Sequence, residues 1–84
     1  EFGEHVRGWR MVLGLTAQQV SERAGITRDT LRKIESGNPN VSFNSVTQVL
    51  RALGILDQLV DAADPLASDI GRLRAGRLTR KRAR

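Results

Sequence analysis

The run Thr27-Arg28-Asp29-Thr30-Leu31-Arg32-Lys33 gathers side chains suited to reading a nucleic acid. An arginine fork can make two parallel hydrogen bonds to the O6 and N7 edge of a guanine, which discriminates against a wrong base by about 1–3 kcal/mol. Aspartate can accept from a cytosine amino group, or it can orient a neighbouring arginine. Near phosphates an unpaired carboxylate is repelled, which favours Asp29 as the group that orients Arg28. Arg32 or Lys33 has the reach for a base or a phosphate, and the Thr27 and Thr30 hydroxyls suit the sugar–phosphate backbone. The plainer alternative for each of these charges is a solvated helix face.

Other chemistry has little to work with. His5 is the only histidine and there is no cysteine. A nucleophile–histidine–acid set, a thiolate metal site and a glycine-rich phosphate loop are all missing. The expectation is a protein that is not an enzyme and takes no cofactor or metal. No apolar run approaches the ~20 residues needed to cross a bilayer, and no signal-peptide pattern is seen. The lack of cysteine fits a reducing cytoplasm.

The elements that must position residues 27–33 can be read from periodicity and caps. Phe2, Val6, Trp9 or Arg10, and Leu13 recur at helical spacing, so residues 1–13 read as a first helix ended by Gly14. Thr16-Ala17-Gln18-Gln19 is a capping box that opens a second helix. That helix carries a narrow face of small residues, Ala17, Val20, Ser21 and Ala24, and ends at Gly25. Thr27 caps a third helix, with Leu31 and Ile34 on its buried side and Ser36-Gly37 as its stop. Gly37-Asn38-Pro39-Asn40 is a loop. Ser42 caps a fourth helix with Phe43, Val46, Val49, Leu50 and Leu53 as its apolar stripe. A shorter fifth helix runs from Ile55 to about Ala63, where Asp64-Pro65 breaks it. The fold expected is all-α: a compact bundle of five short helices over residues 1–64, followed by a basic tail over 65–84.

Two short helices joined through a glycine-containing turn cross at roughly 90–120°. That geometry projects the second of the pair from the body, so that its start can enter a major groove ~12 Å wide. Backbone N–H groups at the opening of the second helix, near Thr16 and Ala17, can bind a phosphate along the helix dipole. The loop side chains Asn38, Asn40 and Ser42 can do the same.

Charge adds a qualification. The net charge is +5, yet residues 72–84 hold seven basic groups and no acidic one. The first 71 residues therefore carry the other seven basic groups and all nine acidic ones, for a net −2. Bulk charge does not mark the body as a DNA binder; the local pattern does.

That pattern resembles a known family. Leu13-Gly14-Leu15-Thr16, Val20, Ala24-Gly25-Ile26-Thr27, Leu31 and Ile34-Glu35-Ser36-Gly37 together resemble the phage repressor and Cro family, also called Xre, over about residues 4–63. The stretch Glu35–Asn40 followed by Ser42, Val46 and Leu50 is similar to HipB-like regulators and antitoxins. The resemblance implies a lambda-repressor-like fold. It implies base contacts from Arg28, Asp29 and Lys33, a phosphate contact from Thr27, and a partly buried ion pair between Arg10 and Glu35. It also exposes a departure. Family members often carry glutamine where this chain has Ala17, and alanine cannot hold a phosphate by its side chain. Gln18 is the amide next along, about 100° around the helix.

One recognition helix reads only a few base pairs, so a homodimer on half-sites ~34 Å apart is expected. Its surface is expected at Ile55, Leu56, Leu59 and Val60, which exceed what a small core needs. The function expected is a DNA-binding transcriptional repressor or autoregulator. The alternative is an antitoxin that also binds a kinase-like toxin. The tail has three readings: an arm on DNA, a segment that folds on a partner, or a solubilising end.

Overall fold

The computed structural model describes residues 1–78; Arg80, Lys81, Arg82 and Arg84 of the basic tail lie outside the described residues. The chain folds as α1 (Phe2–Val12), α2 (Ala17–Ala24), α3 (Arg28–Glu35), α4 (Phe43–Ala52) and α5 (Leu56–Ala63). A 3-10 turn at Pro65–Ala67 and a sixth helix, α6 (Asp69–Leu73), follow. Among the described residues there is no strand.

Local chemistry explains most of the boundaries. The Thr16 hydroxyl accepts from the Gln19 backbone N–H at 3.0 Å, and the Gln19 side chain accepts from the Thr16 N–H at 2.9 Å, so both halves of the capping box are made. Ser42 accepts from the Ser45 N–H at 3.0 Å and opens α4 in a similar way. At the other end of α2, Gly25 sits at φ +69°, a left-handed conformation that costs glycine little and a β-carbon-bearing residue more. There the Ile26 N–H reaches back to the Ser21 carbonyl and the Gly25 N–H to that of Glu22, which closes the helix. The equivalent pairs of bonds close α1, α3 and α4 at Gly14, Gly37 and Gly54.

The core is small and aliphatic: Val6, Val20, Ala24, Leu31, Ile34, Val49, Leu50 and Leu53. The most extensive packing is α2 on α4, with α1 set against α3. The small residues of α2 permit its close approach, and Val20 and Val49 are completely buried. Burial of such side chains contributes about 1.5–3 kcal/mol each.

Three expectations need revision. The first helix buries Gly3 and Val6 rather than an unbroken apolar stripe; Phe2, Trp9 and Leu13 remain exposed. Gly3 decides this, because its missing β-carbon lets α1 lie directly on the Ile34 and Glu35 carbonyls at the end of α3. Phe43 points outward at the first residue of α4, one turn before the part of the stripe that meets α2. The segment after Pro65, read as tail, contains α6. It is closed locally by Asp64, which accepts from the Leu66 N–H at 2.9 Å, and by Ser68, which accepts from the Gly71 N–H at 3.1 Å.

Candidate nucleic-acid interface

The turn Gly25-Ile26-Thr27 both bends the chain and anchors it. Ile26 packs against the core, so the following helix starts from a fixed point. Thr27 then caps α3, its hydroxyl accepting from the Thr30 N–H at 3.1 Å and lying 2.9 Å from the Thr30 hydroxyl. Leu31 and Ile34 lock the inner side of α3 into the core. Arg28, Asp29, Arg32 and Lys33 all stand on its outer side in solvent.

The outer charges are not independent. Asp29 pairs with Arg32, and its other oxygen lies 3.4 Å from the Lys33 ammonium. It makes no ion pair with Arg28, the neighbour it was expected to orient. Residues three and four positions on share its side of the helix, whereas an adjacent residue projects about 100° away. Arg28 thus keeps its donors available at the start of α3, while Asp29 partly neutralises the two cations behind it. The i, i+3 and i, i+4 spacing carried this signal.

Behind the surface, Arg10 and Glu35 tie α1 to α3. The guanidinium donates to both carboxylate oxygens, and a second arm of the same group lies 3.4 Å from the Leu15 carbonyl. The hydrogen bond that Arg10 donates to Glu35 raises its pKa above the ordinary value, against the opposing effect of burial. The pair fixes the C-terminal end of α3 much as Thr27 fixes its beginning.

A shallow cleft between the start of α2 and α3 brings Ala17, Arg28, Asp29 and Arg32 together over Leu31 and Glu35. Ala17 is half-buried there and gives the cleft its open floor. Gln18 is turned away along α2, where its amide donates to Glu22 at 2.9 Å. Thr16 stands exposed at the opening of α2. In the loop after α3, the Asn38 side chain accepts from the Asn40 N–H at 2.8 Å. Asn40 and Ser42 are exposed beside it, with the Ser42 hydroxyl donating to that of Ser45 at 2.9 Å. Asn38 and Ser42 therefore serve local backbone geometry, and Asn40 is open on the surface. At the far end, Ile55, Leu56 and Leu59 lean partly on the core, and Val60 faces outward.

Two short helices, a glycine turn and an outward polar face are thus in place. A family model described as a helix-turn-helix domain matches residues 1–63. The chain belongs to the helix-turn-helix domain family. In this helix-turn-helix protein the matched span ends with the last residue of α5. A relative from Methanothermobacter thermautotrophicus, named as an uncharacterized HTH-type transcriptional regulator, is 39% identical over 49 residues. That similarity covers 58% of this chain and 71% of the relative. No solved structure matches the chain. Among the described residues no helix is long and apolar enough to cross a membrane, and no group of three His, Asp or Glu side chains is placed to hold a metal ion.

Proposed function

We propose that the chain is a sequence-specific DNA-binding transcriptional regulator, a repressor or autoregulator, that inserts the start of α3 into the major groove. The observation that carries this reading is the orientation of α3: Leu31 and Ile34 are buried while Arg28, Asp29, Arg32 and Lys33 face solvent at the end of a rigid glycine turn. Arg28 is the principal base reader, bidentate to a guanine. Arg32 and Lys33 serve phosphates or a second base, with Asp29 between them. Thr27, Thr30 and the opening of α2 at Thr16 and Ala17 meet the sugar–phosphate backbone, with Asn38, Asn40 and Ser42 flanking them; Gln18 reaches a phosphate only by leaving its hydrogen bond to Glu22. The chain acts as a homodimer, because one such helix spans too few base pairs for useful affinity. The dimer surface is the outward side of α5 at Val60, with Ile55, Leu56 and Leu59 beside it.

Selection of bound duplexes from a random pool tests this. A two-fold symmetric motif that loses one guanine preference in Arg28→Ala is expected. Equal, wholly salt-sensitive binding to every duplex would remove the assignment. The antitoxin reading keeps this DNA chemistry and adds a kinase-like partner. Its support is the resemblance of the stretch from Glu35 to Asn40, and co-purification with such a kinase from the native cell is the observation that establishes or removes it.

A further inference from the structure

The cleft between the start of α2 and α3 has a rim and a floor of different chemistry. Arg28 stands exposed at its rim, and Arg32 is held there by Asp29. Deeper in are the side chains of Ala17 and Leu31, with Glu35 beside them. Ala17 packs against the core and Leu31 is 1% exposed, so this floor is fixed. Both Glu35 oxygens already accept from Arg10. The side chains of the floor therefore offer no hydrogen-bond donor. The neighbouring amide does not fill the space, because Gln18 is turned along α2 to Glu22.

That composition selects among the groups a DNA duplex brings to it. A phosphate on the floor would lose its hydration and gain no side-chain donor. Phosphates belong at the rim, with the arginines and the backbone N–H groups that open α2. Most of a base-pair edge in the major groove is polar as well: ring nitrogens, carbonyls and amino groups. The exception is the C5-methyl group of thymine, which suits a surface of alanine and leucine. Its place follows from Arg28. A guanidinium bonded to a guanine edge occupies that base pair, so the cleft it borders is left to an adjacent one, about 3.4 Å along the strand.

We infer that this cleft is a thymine-methyl slot and that Ala17 is a specificity-determining residue. While Arg28 bonds a guanine, the methyl group of a thymine at an adjacent base pair rests on Ala17 over Leu31. The inference rests on the major-groove reading of α3 above and adds a second base to it. Ala17 then serves twice, its backbone N–H toward a phosphate and its side chain toward the methyl group. A longer side chain at position 17 would fill the slot, and alanine leaves it open.

Modified duplexes test this on the full chain without altering the protein. The motif selected by wild type should place a thymine next to the guanine whose preference Arg28→Ala removes. Replacing that thymine by deoxyuracil takes away the methyl group alone. Wild-type binding should weaken roughly threefold to fivefold, the effect of one buried methyl group. At the same position 5-methylcytosine should bind more tightly than cytosine by a similar factor, which separates the methyl group from the rest of the thymine edge. Ala17→Gln, checked for folding by circular dichroism, should bind the thymine and deoxyuracil duplexes alike. Ala17→Asn takes its place if it does not fold. A motif with no thymine beside that guanine overturns the slot, and so does equal wild-type binding of thymine and deoxyuracil duplexes. Either result leaves the reading of guanine by Arg28 standing. A deoxyuracil penalty that survives in Ala17→Gln also overturns the slot, since the methyl group would then rest elsewhere. If Arg28→Ala removes no base preference, the major-groove reading itself fails and the slot falls with it.

Discussion

Arg10 and Glu35 lie 25 residues apart in sequence and meet at two points, Nε to Oε2 at 2.8 Å and Nη2 to Oε1 at 3.0 Å. Their side chains are only 15% and 12% exposed, so this pair is not an ordinary surface salt bridge. It joins the first helix to the end of the helix assigned to the groove. Glu35→Ala leaves a desolvated guanidinium and is expected to lower the unfolding free energy by about 2–4 kcal/mol. Arg10→Lys loses the second contact and should also destabilise. Arg10→Met combined with Glu35→Leu should recover most of the loss, because no unpaired charge remains. Urea denaturation of the variants measures this. A Glu35→Ala protein as stable as wild type would show the pair to be energetically idle. The pH dependence has a definite sign. The Arg10 pKa is raised, so its contribution is complete below the ordinary arginine value and is lost only as pH climbs through the folded one. Melting temperatures should show no step from Arg10 between about pH 6 and pH 9.

Gly3 and Gly8 share a helix but should respond oppositely to alanine. A β-carbon on Gly3 would collide with the Ile34 and Glu35 carbonyls, whereas Gly8 faces open space. Gly3→Ala should cost about 1–3 kcal/mol as α1 is pushed off α3. Gly8→Ala should stabilise by about 0.5–1 kcal/mol through reduced backbone entropy in the unfolded chain. Thermal melting of the two variants gives both signs, and equal shifts would contradict the packing described.

Ser21 is buried on α2, and its hydroxyl oxygen has no partner among the described residues. An unpaired buried hydroxyl costs desolvation that alanine does not. Ser21→Ala is expected to raise stability by about 1 kcal/mol with DNA binding unchanged. A marked loss of stability would mean that the hydroxyl is satisfied.

Asp29 restrains Arg32 and Lys33, so Asp29→Asn should release both cations toward phosphates. The expected result is tighter binding to arbitrary duplexes, with the slope of log affinity against log salt steepened by roughly one to two. Discrimination between operator and other DNA should fall. Arg28→Ala should instead lose about 1–3 kcal/mol on the preferred site only. If Asp29→Asn abolishes preference at one base pair and leaves the salt slope alone, Asp29 reads a cytosine directly.

Much of this was legible in the sequence because it is local. Thr16 with Gln19, Thr27 before Arg28, and Gly25 after Ala24 each act through hydrogen bonds or torsions within a few residues, so their types and spacing suffice. The outward set Arg28, Asp29, Arg32 and Lys33 followed from the position of Leu31 and Ile34. Which cation Asp29 would hold was harder to see, although helical spacing points to Arg32 and Lys33. Exposure of Phe2, Trp9 and Phe43 was not legible. An apolar residue at helical spacing records a face, not what lies opposite it.

By itself, then, the order of residues determined where the helices start and stop and which side of α3 is polar, since caps, turns and periodicity act over one or two helical turns. Tertiary packing decided the rest. It set α1 on the carbonyls of α3 through Gly3, and it brought Arg10 to Glu35 across 25 positions. It also left an apolar groove open between α4 and α5. Those outcomes depend on distances between elements far apart in the chain, and a short-range code of side-chain types does not contain them.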